Sequence, residues 1–358
     1  MTRRKQIVGA VIGKFLPFHS GHELLIRFAA AYSDVLYVLV DHVPAAPFGD
    51  DFIPGDVRVQ MIRETFPDVH VRYIPDETPM DPSERPDFWD VWRRIMADNL
   101  PEPVDYLFAA EVYGFRLAEV MGCEFIPFDL RRSIVGARGT TLRSELDLVW
   151  DDLSLSTRRR MTMRICIFGP ESCGKSTLSQ VLARAFNTIS APEYARFYLE
   201  AYQEQATRFG TRWSIKPDDM PKIARGQSAL EESVLSQANR VLFSDTDVLT
   251  TSIWNRWFFG ETAWSDEILE IARSQLADHY ILLTPDIPWI ADDIRYYGDE
   301  ADRQRFFEDC RQILEAHDCS YTIVSGQGEQ RTSSAERIVL DFMAAQFNHA
   351  YFARRLRG

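Results

Sequence analysis

The sequence is poor in cysteine, has no surplus of positive charge and contains no long apolar run, and each absence narrows its function. The five cysteines, Cys123, Cys166, Cys173, Cys310 and Cys319, include no C-x-x-C pair. That argues against a thiolate zinc module or a disulfide framework and for reduced thiols. Lysine and arginine number 40 against 53 aspartates and glutamates, a net charge of −13. General nucleic-acid binding needs a basic surface, so no nucleic-acid partner is expected. Nucleotides stay open, because one lysine and a few backbone N–H groups can hold a triphosphate. No stretch reaches the ~20 apolar residues of a membrane helix. Arg3-Arg4-Lys5 before the apolar run 7–12 imitates a secretory leader, but that run is short and Lys14 and His19 follow at once. A cytoplasmic location is expected.

What is present is ordinary for a globular chain, 46% hydrophobic and 26% charged residues. A length of 358 residues exceeds one ordinary core and predicts two domains. Residues 7–12, 35–40, 69–74 and 106–110 read as strands, with helices at 22–32, 56–66 and 88–100 between them. This alternation predicts a parallel α/β sheet. The Pro/Asp-rich stretch 75–86 reads as a loop. A less apolar region ending in Arg158-Arg159-Arg160 suggests a boundary, giving domains 1–157 and 158–358. A second α/β pattern follows, with strands at 164–168, 240–243, 280–283 and 321–324 and helices at 176–186 and 299–316.

Each half opens on a strand followed by a phosphate-handling motif. The first is Gly13-Lys14-Phe15-Leu16-Pro17-Phe18-His19-Ser20-Gly21-His22, an H-x-G-H nucleotidyltransferase pattern. It falls where a doubly wound sheet binds ligands, at a helix N-terminus with free N–H groups and partial positive charge. His19 and His22 can add donors to phosphate oxygens, and Gly21 permits close backbone approach. This stretch resembles the H/T-x-G-H adenylyltransferase family, particularly its nicotinamide mononucleotide branch. That family's second signature, I-S-x-T-x-I-R, has a counterpart in Arg138-Gly139-Thr140-Thr141-Leu142-Arg143. Thr140 and Arg143 match, whereas Arg138 replaces the family's serine. The resemblance implies a Rossmann-like fold and in-line attack on the α-phosphorus of ATP. It makes Lys14 and Arg143 candidates to stabilise the leaving pyrophosphate. It also puts Gly13, Phe15, Gly21 and Thr140 at the ATP. Ala110-Glu111-Val112-Tyr113-Gly114 resembles the family's S-E-x-Y-G stretch, making Glu111 and Tyr113 candidate substrate contacts. Trp89 and Trp92, one helical turn apart, offer an aromatic face for a pyridinium ring or simply belong to the core.

The second motif is Gly169-Pro170-Glu171-Ser172-Cys173-Gly174-Lys175-Ser176-Thr177, a Walker A P-loop between a strand and a helix. Its N–H groups would cradle the β-phosphate, with Glu171, Ser172, Gly174 and Thr177 at the nucleotide. Lys175 would reach the β- and γ-phosphates and Ser176 would hold Mg²⁺. Asp245 and Asp247, after the strand near 241–243, are candidates for the Mg²⁺ ligand or the acceptor's general base, and Glu193 is a third carboxylate. Arg295 and Arg303 are candidates for a lid over the transferring phosphate. This half resembles the ribosylnicotinamide kinase domain of the bifunctional NadR family. The resemblance rests on G-P-E-S-C-G-K-S-T, E-Y-A-R, Ile223-Ala224-Arg225-Gly226-Gln227, D-T-D and D-I-P-W…D-D-I-R.

The combined resemblance implies an adenylyltransferase domain followed by a P-loop kinase domain. Such an enzyme phosphorylates nicotinamide riboside with ATP and joins the mononucleotide to AMP, giving NAD. Mg²⁺ is the implied cofactor. A homo-oligomer and coupling to a nicotinamide riboside transporter are further expectations. Some family members begin with a helix-turn-helix repressor domain. Only six residues precede the first strand here, so no DNA-binding role is expected. A second reading keeps the kinase and makes the first domain a nucleotide sensor that regulates without adenylyl transfer.

Overall fold

The computed structural model describes residues 5–43, 53–75, 78–79, 83, 85–131, 133–134, 150–288 and 299–346. The chain divides into two compact units, one formed by Met1–Met161 with Gln346–Gly358 and the other by Thr162–Ala345.

In the first unit, β1 (Val8–Gly13), β2 (Val35–Asp41), β3 (His70–Ile74), β4 (Tyr106–Ala109) and β5 (Glu124–Pro127) form one parallel sheet in the order β3-β2-β1-β4-β5. The connecting helices are α1 (Ser20–Tyr32), α2 (Gly55–Thr65), α3 (Phe88–Asn99) and α4 (Gly114–Met121). Strands covered on both faces read as near-continuous apolar runs, and β1 and β2 do. The apolar positions of α3 recur at helical spacing, and Val91, Trp92, Ile95 and Met96 pack with Ile12, Leu39 and Leu107. Each such side chain contributes ~1.5–3 kcal/mol by leaving water.

A short helix α5 (Leu155–Met161) closes this unit. The Thr157 hydroxyl donates to the Phe18 carbonyl at 2.8 Å, and Arg160 forks onto Glu64 at 2.7 and 2.5 Å. These bonds keep α5 with the first unit, so the break falls at Met161/Thr162, four residues beyond the boundary expected from composition.

The second unit repeats the logic with a different strand order. Strands β6 (Met163–Phe168), β7 (Ser190–Ala191), β8 (Val241–Asp245), β9 (His279–Leu283) and β10 (Tyr321–Val324) lie parallel in the order β10-β9-β6-β8-β7. The helices are α6 (Lys175–Ala185), α7 (Tyr194–Arg208), α8 (Met220–Val234), α9 (Val248–Phe259), α10 (Ser265–Ser274), α11 (Glu300–Ala316) and α12 (Gly328–Gln346). In both units the first strand is central, so its C-terminal end opens where the strand order reverses. Among the described residues, no helix is long and apolar enough to cross a membrane.

Candidate functional sites

In the first unit the chain leaves β1 through Lys14 and Phe15 and enters α1 at Ser20. His19 is the N-cap of α1, and its Nδ1 accepts the Gly21 N–H at 3.1 Å. In a neutral imidazole whose Nδ1 accepts, the proton sits on Nε2, which is then a donor. Gly21 thus orients the histidine through its N–H. The His19 and His22 rings stack with centroids 3.6 Å apart, and Phe15 meets His22 edge-on at 5.0 Å. Phe15 is 1% exposed. Its ring therefore packs against His22 inside the fold.

Lys14 is exposed, and its backbone is fixed by a residue that the sequence reading missed. Arg58, on α2 and fully buried, donates to the carbonyls of Lys14 (2.6 Å), Asp41 (2.9 Å) and Ile53 (3.1 Å). The Asp41 carboxylate accepts the Thr78 hydroxyl at 2.7 Å. Burial pushes its pKa up to about 6 against that bond and the charges of Lys14 and Arg58. Glu111 and Tyr113 are exposed just past β4, the strand beside β1, and so flank the point where strand order reverses.

The tryptophan pair separates. Trp92 is 8% exposed and its indole N–H donates to the Pro79 carbonyl at 3.2 Å, so it belongs to the core and presents no stacking face. Trp89 is partly buried and already carries a cation, the Arg116 guanidinium 5.8 Å from its ring. Arg138, Thr140 and Arg143 lie outside the described residues, as does Arg295 of the second unit.

In the second unit the P-loop joins β6 to α6. Gly169 and Gly174 take φ of +138° and +86°, conformations that side chains resist. A Cβ on Gly169 would also stand 2.8 Å from the Leu283 carbonyl oxygen. The loop borders a cleft of about 210 Å³ lined by Gly169, Glu171, Ser172, Gly174, Lys175, Ser176, Thr177 and Glu193. Lys175 Nζ donates to the Pro170 carbonyl at 2.6 Å. Burial lowers the lysine's pKa, but the Cys173, Glu193 and Asp245 side chains outweigh it and the net shift is upward.

Asp245 ends β8 in register with Ile167 of β6 and is 4% exposed. Burial raises its pKa, opposed by Lys175 and by a hydrogen bond from Ser176, while its Oδ1 has no hydrogen-bond partner among the described residues. Burial, then the charge of Asp245, raises Glu193 to about 7, with Lys175 and Arg196 pulling the other way. Lys175, Ser176, Asp245 and Glu193 thus converge at the P-loop, with Arg196 on the same cleft.

Asp247 does not join them. Its Oδ1 caps α9, accepting the N–H groups of Leu249 (2.9 Å) and Thr250 (3.4 Å), and its Oδ2 accepts the Tyr280 hydroxyl at 2.7 Å. Three of the carboxylate's acceptor directions are thus spent on the start of α9 and on Tyr280, which gives Asp247 a part in holding the fold. Asp247→Ala is therefore expected to cost about 2–4 kcal/mol of stability by denaturant titration, from a lost cap and an orphaned buried hydroxyl. Turnover of the folded fraction should stay within about fivefold; a larger loss would return Asp247 to the chemistry. Arg303 is 6% exposed, donates to the Ile287 carbonyl at 2.9 Å and lies near enough to the P-loop for its charge to lower the Cys173 pKa.

Two features of the cleft were not among the candidate site residues, although Gln227 closes the stretch Ile223–Gln227 that carries part of the resemblance. Trp254 and Phe258, four apart on α9, stack at 5.1 Å and 19° on its wall. Gln227, also lining it, donates to Glu231 at 2.9 Å and accepts the Tyr194 N–H at 2.7 Å, which fixes its amide orientation.

The family model described as an AAA domain matches residues 164–331. The trifunctional NAD biosynthesis/regulator protein NadR of Escherichia coli K12 is 28% identical over 96% of this chain and 85% of its own length. Its counterpart from Salmonella typhimurium LT2 is 29% identical over 85% of this chain and 75% of its own. The crystal structure of a NadR protein with NAD and AMP-PNP superposes with a TM-score of 0.67, at 21% identity, covering 95% of this chain and 97% of that one. A NadR protein in complex with NR gives 0.69 at the same identity and coverage. These structural likenesses establish a shared two-domain α/β fold.

Proposed function

We infer that this chain, a NadR-type protein in sequence and fold, is a bifunctional enzyme of NAD biosynthesis. The observation that carries this reading is the pairing of two phosphate sites, each at the C-terminal end of the central strand of its own parallel sheet. The second unit phosphorylates nicotinamide riboside with ATP. The first adenylylates the mononucleotide with ATP, releasing pyrophosphate and giving NAD. The same reading carries a cytoplasmic homo-oligomer fed by a nicotinamide riboside transporter.

At the kinase site the P-loop amides and Lys175 hold the triphosphate, and the Trp254–Phe258 wall accepts the pyridinium ring, a cation suited to an aromatic face. Glu193 takes the proton of the riboside 5′-hydroxyl. Ser176 and the Oδ1 of Asp245 are hard oxygen donors, the type that Mg²⁺ prefers. Among the described residues there is no separate cluster of three or more histidines, cysteines or acids that would hold a metal. Mg²⁺ bound there with the phosphates would neutralise charge developing on the transferred group. At the other site His19 Nε2–H and the α1 N-terminus stabilise phosphate charge, and no protein nucleophile is needed.

Product identification by mass spectrometry tests the whole reading. With ATP, Mg²⁺ and nicotinamide riboside, NAD should accumulate through the mononucleotide. Mononucleotide without NAD would replace the first activity by nucleotide sensing. The base has its own test. With Glu193 raised to about 7, kinase kcat/KM should fall about tenfold per pH unit below that value. Glu193→Gln should remove the limb with most of the rate; an unchanged profile would put the base elsewhere.

A further inference from the structure

We propose that Arg331 is a positioning residue of the kinase site, aiming a P-loop amide at the phosphates from the far side of the loop. The proposal rests on the reading of the P-loop as the ATP phosphate site. Arg331 lies in the first turns of α12, 158 residues beyond Cys173, and is 3% exposed. Its Nη1 donates to the Cys173 carbonyl, and its Nη2 donates to the Asp286 carboxylate and, at 3.3 Å, to the Thr284 carbonyl. Asp286 is held in turn: its Oδ2 accepts the Gly326 N–H at 2.6 Å and its carbonyl accepts the Gln327 side-chain amide at 2.7 Å. The guanidinium is thus fixed on one side by a neutralising carboxylate and spends its other arm on the loop backbone.

In a trans peptide the carbonyl and the next N–H point in opposite directions. With the Cys173 oxygen drawn toward Arg331, the Gly174 N–H is turned the other way, toward the cleft that Gly174 lines. The guanidinium lies against the loop itself, since a Cβ on Gly174 would be 4.0 Å from Nη1. A charged donor on the carbonyl also polarises the peptide and strengthens its N–H as a donor. Lysine cannot reproduce this, because two fixed directions at once require a planar fork.

The test uses the full chain and three readouts: ADP binding by calorimetry, kinase KM for ATP and for riboside, and adenylylation of supplied mononucleotide. The ADP binding that Lys175→Ala removes defines the P-loop component. Arg331→Met should weaken that component and raise KM for ATP about 10- to 100-fold, leaving KM for riboside within about threefold. Adenylylation should be unchanged. Arg331→Lys keeps the charge and guards against misfolding of the methionine variant; it should recover only part of the loss. Unchanged ADP affinity in a folded variant, or a lowered melting temperature with an unaltered KM for ATP, would overturn the positioning role. If Lys175→Ala removes no ADP binding, the P-loop reading fails instead.

Discussion

Lys175→Ala is expected to abolish phosphorylation of nicotinamide riboside, by about 10³-fold or more, while adenylylation of supplied mononucleotide continues. The lysine is the cation at the centre of the cleft, beside two carboxylates whose pKa values burial already raises. Removing it takes a positive charge from the transferring phosphoryl group. It also deprives Asp245 and Glu193 of the charge that holds them down, so both take up protons more readily. In the roles proposed for them, Glu193 as base and Asp245 as Mg²⁺ ligand would be weakened along with the phosphate contact. The fold should survive, because alanine is a better helix former than lysine at the start of α6 and the loop keeps its two glycines. Separate assays of the two half-reactions decide the matter. A kinase rate within tenfold of wild type, or parallel loss of both activities in folded protein, would defeat the two-site reading.

His19→Ala is expected to do the reverse, lowering adenylyl transfer by about 10²–10³-fold and leaving the kinase intact. The histidine serves its site twice. Its Nδ1 caps α1, and that bond fixes the tautomer that places a donor on Nε2. Alanine loses both, with ~1 kcal/mol of stability from the cap. Asparagine separates them, since it caps a helix well but is too short to carry a donor to the same point. His19→Asn should therefore regain the melting temperature and remain slow. If it regains the rate as well, the histidine acts only through the helix start.

The parallel sheets were legible because strands buried on both faces write themselves as apolar runs: 321–324 was read to the residue and seven others within two residues of their ends, while the edge strand β5 was not read at all. Helix α4 and the two-residue β7 left no comparable mark. Helix α8 shows little contrast, since its buried face includes the charged Glu231 and the polar Gln227 beside Ile223 and Ala224. The motif residues His19, Lys175 and Ser176 were visible because backbone turns at fixed spacing need those types. Asp245 and Asp247 show the limit of such reading. Two positions apart on one strand end, they are equivalent as letters, yet only the first points to the P-loop and the second turns to cap α9. Arg58 and Arg331 were silent for a related reason. A buried arginine bonded to carbonyls answers to backbone geometry, which leaves no pattern of residue types.

The position of β6 between β8 and β9 has a consequence for how the chain is made. The P-loop leaves the ribosome long before the strand that flanks it, and 158 residues before the arginine that holds its backbone. At a synthesis rate of about 5–20 residues per second, that interval is about 8–30 s. Until β9 is made, the nascent sheet has β6 as an open edge, with unpaired N–H and carbonyl groups along an apolar strand. The first unit has its five strands in hand by then. Premature termination between β8 and β9 would therefore release the first unit's five-stranded sheet joined to an aggregation-prone half-sheet.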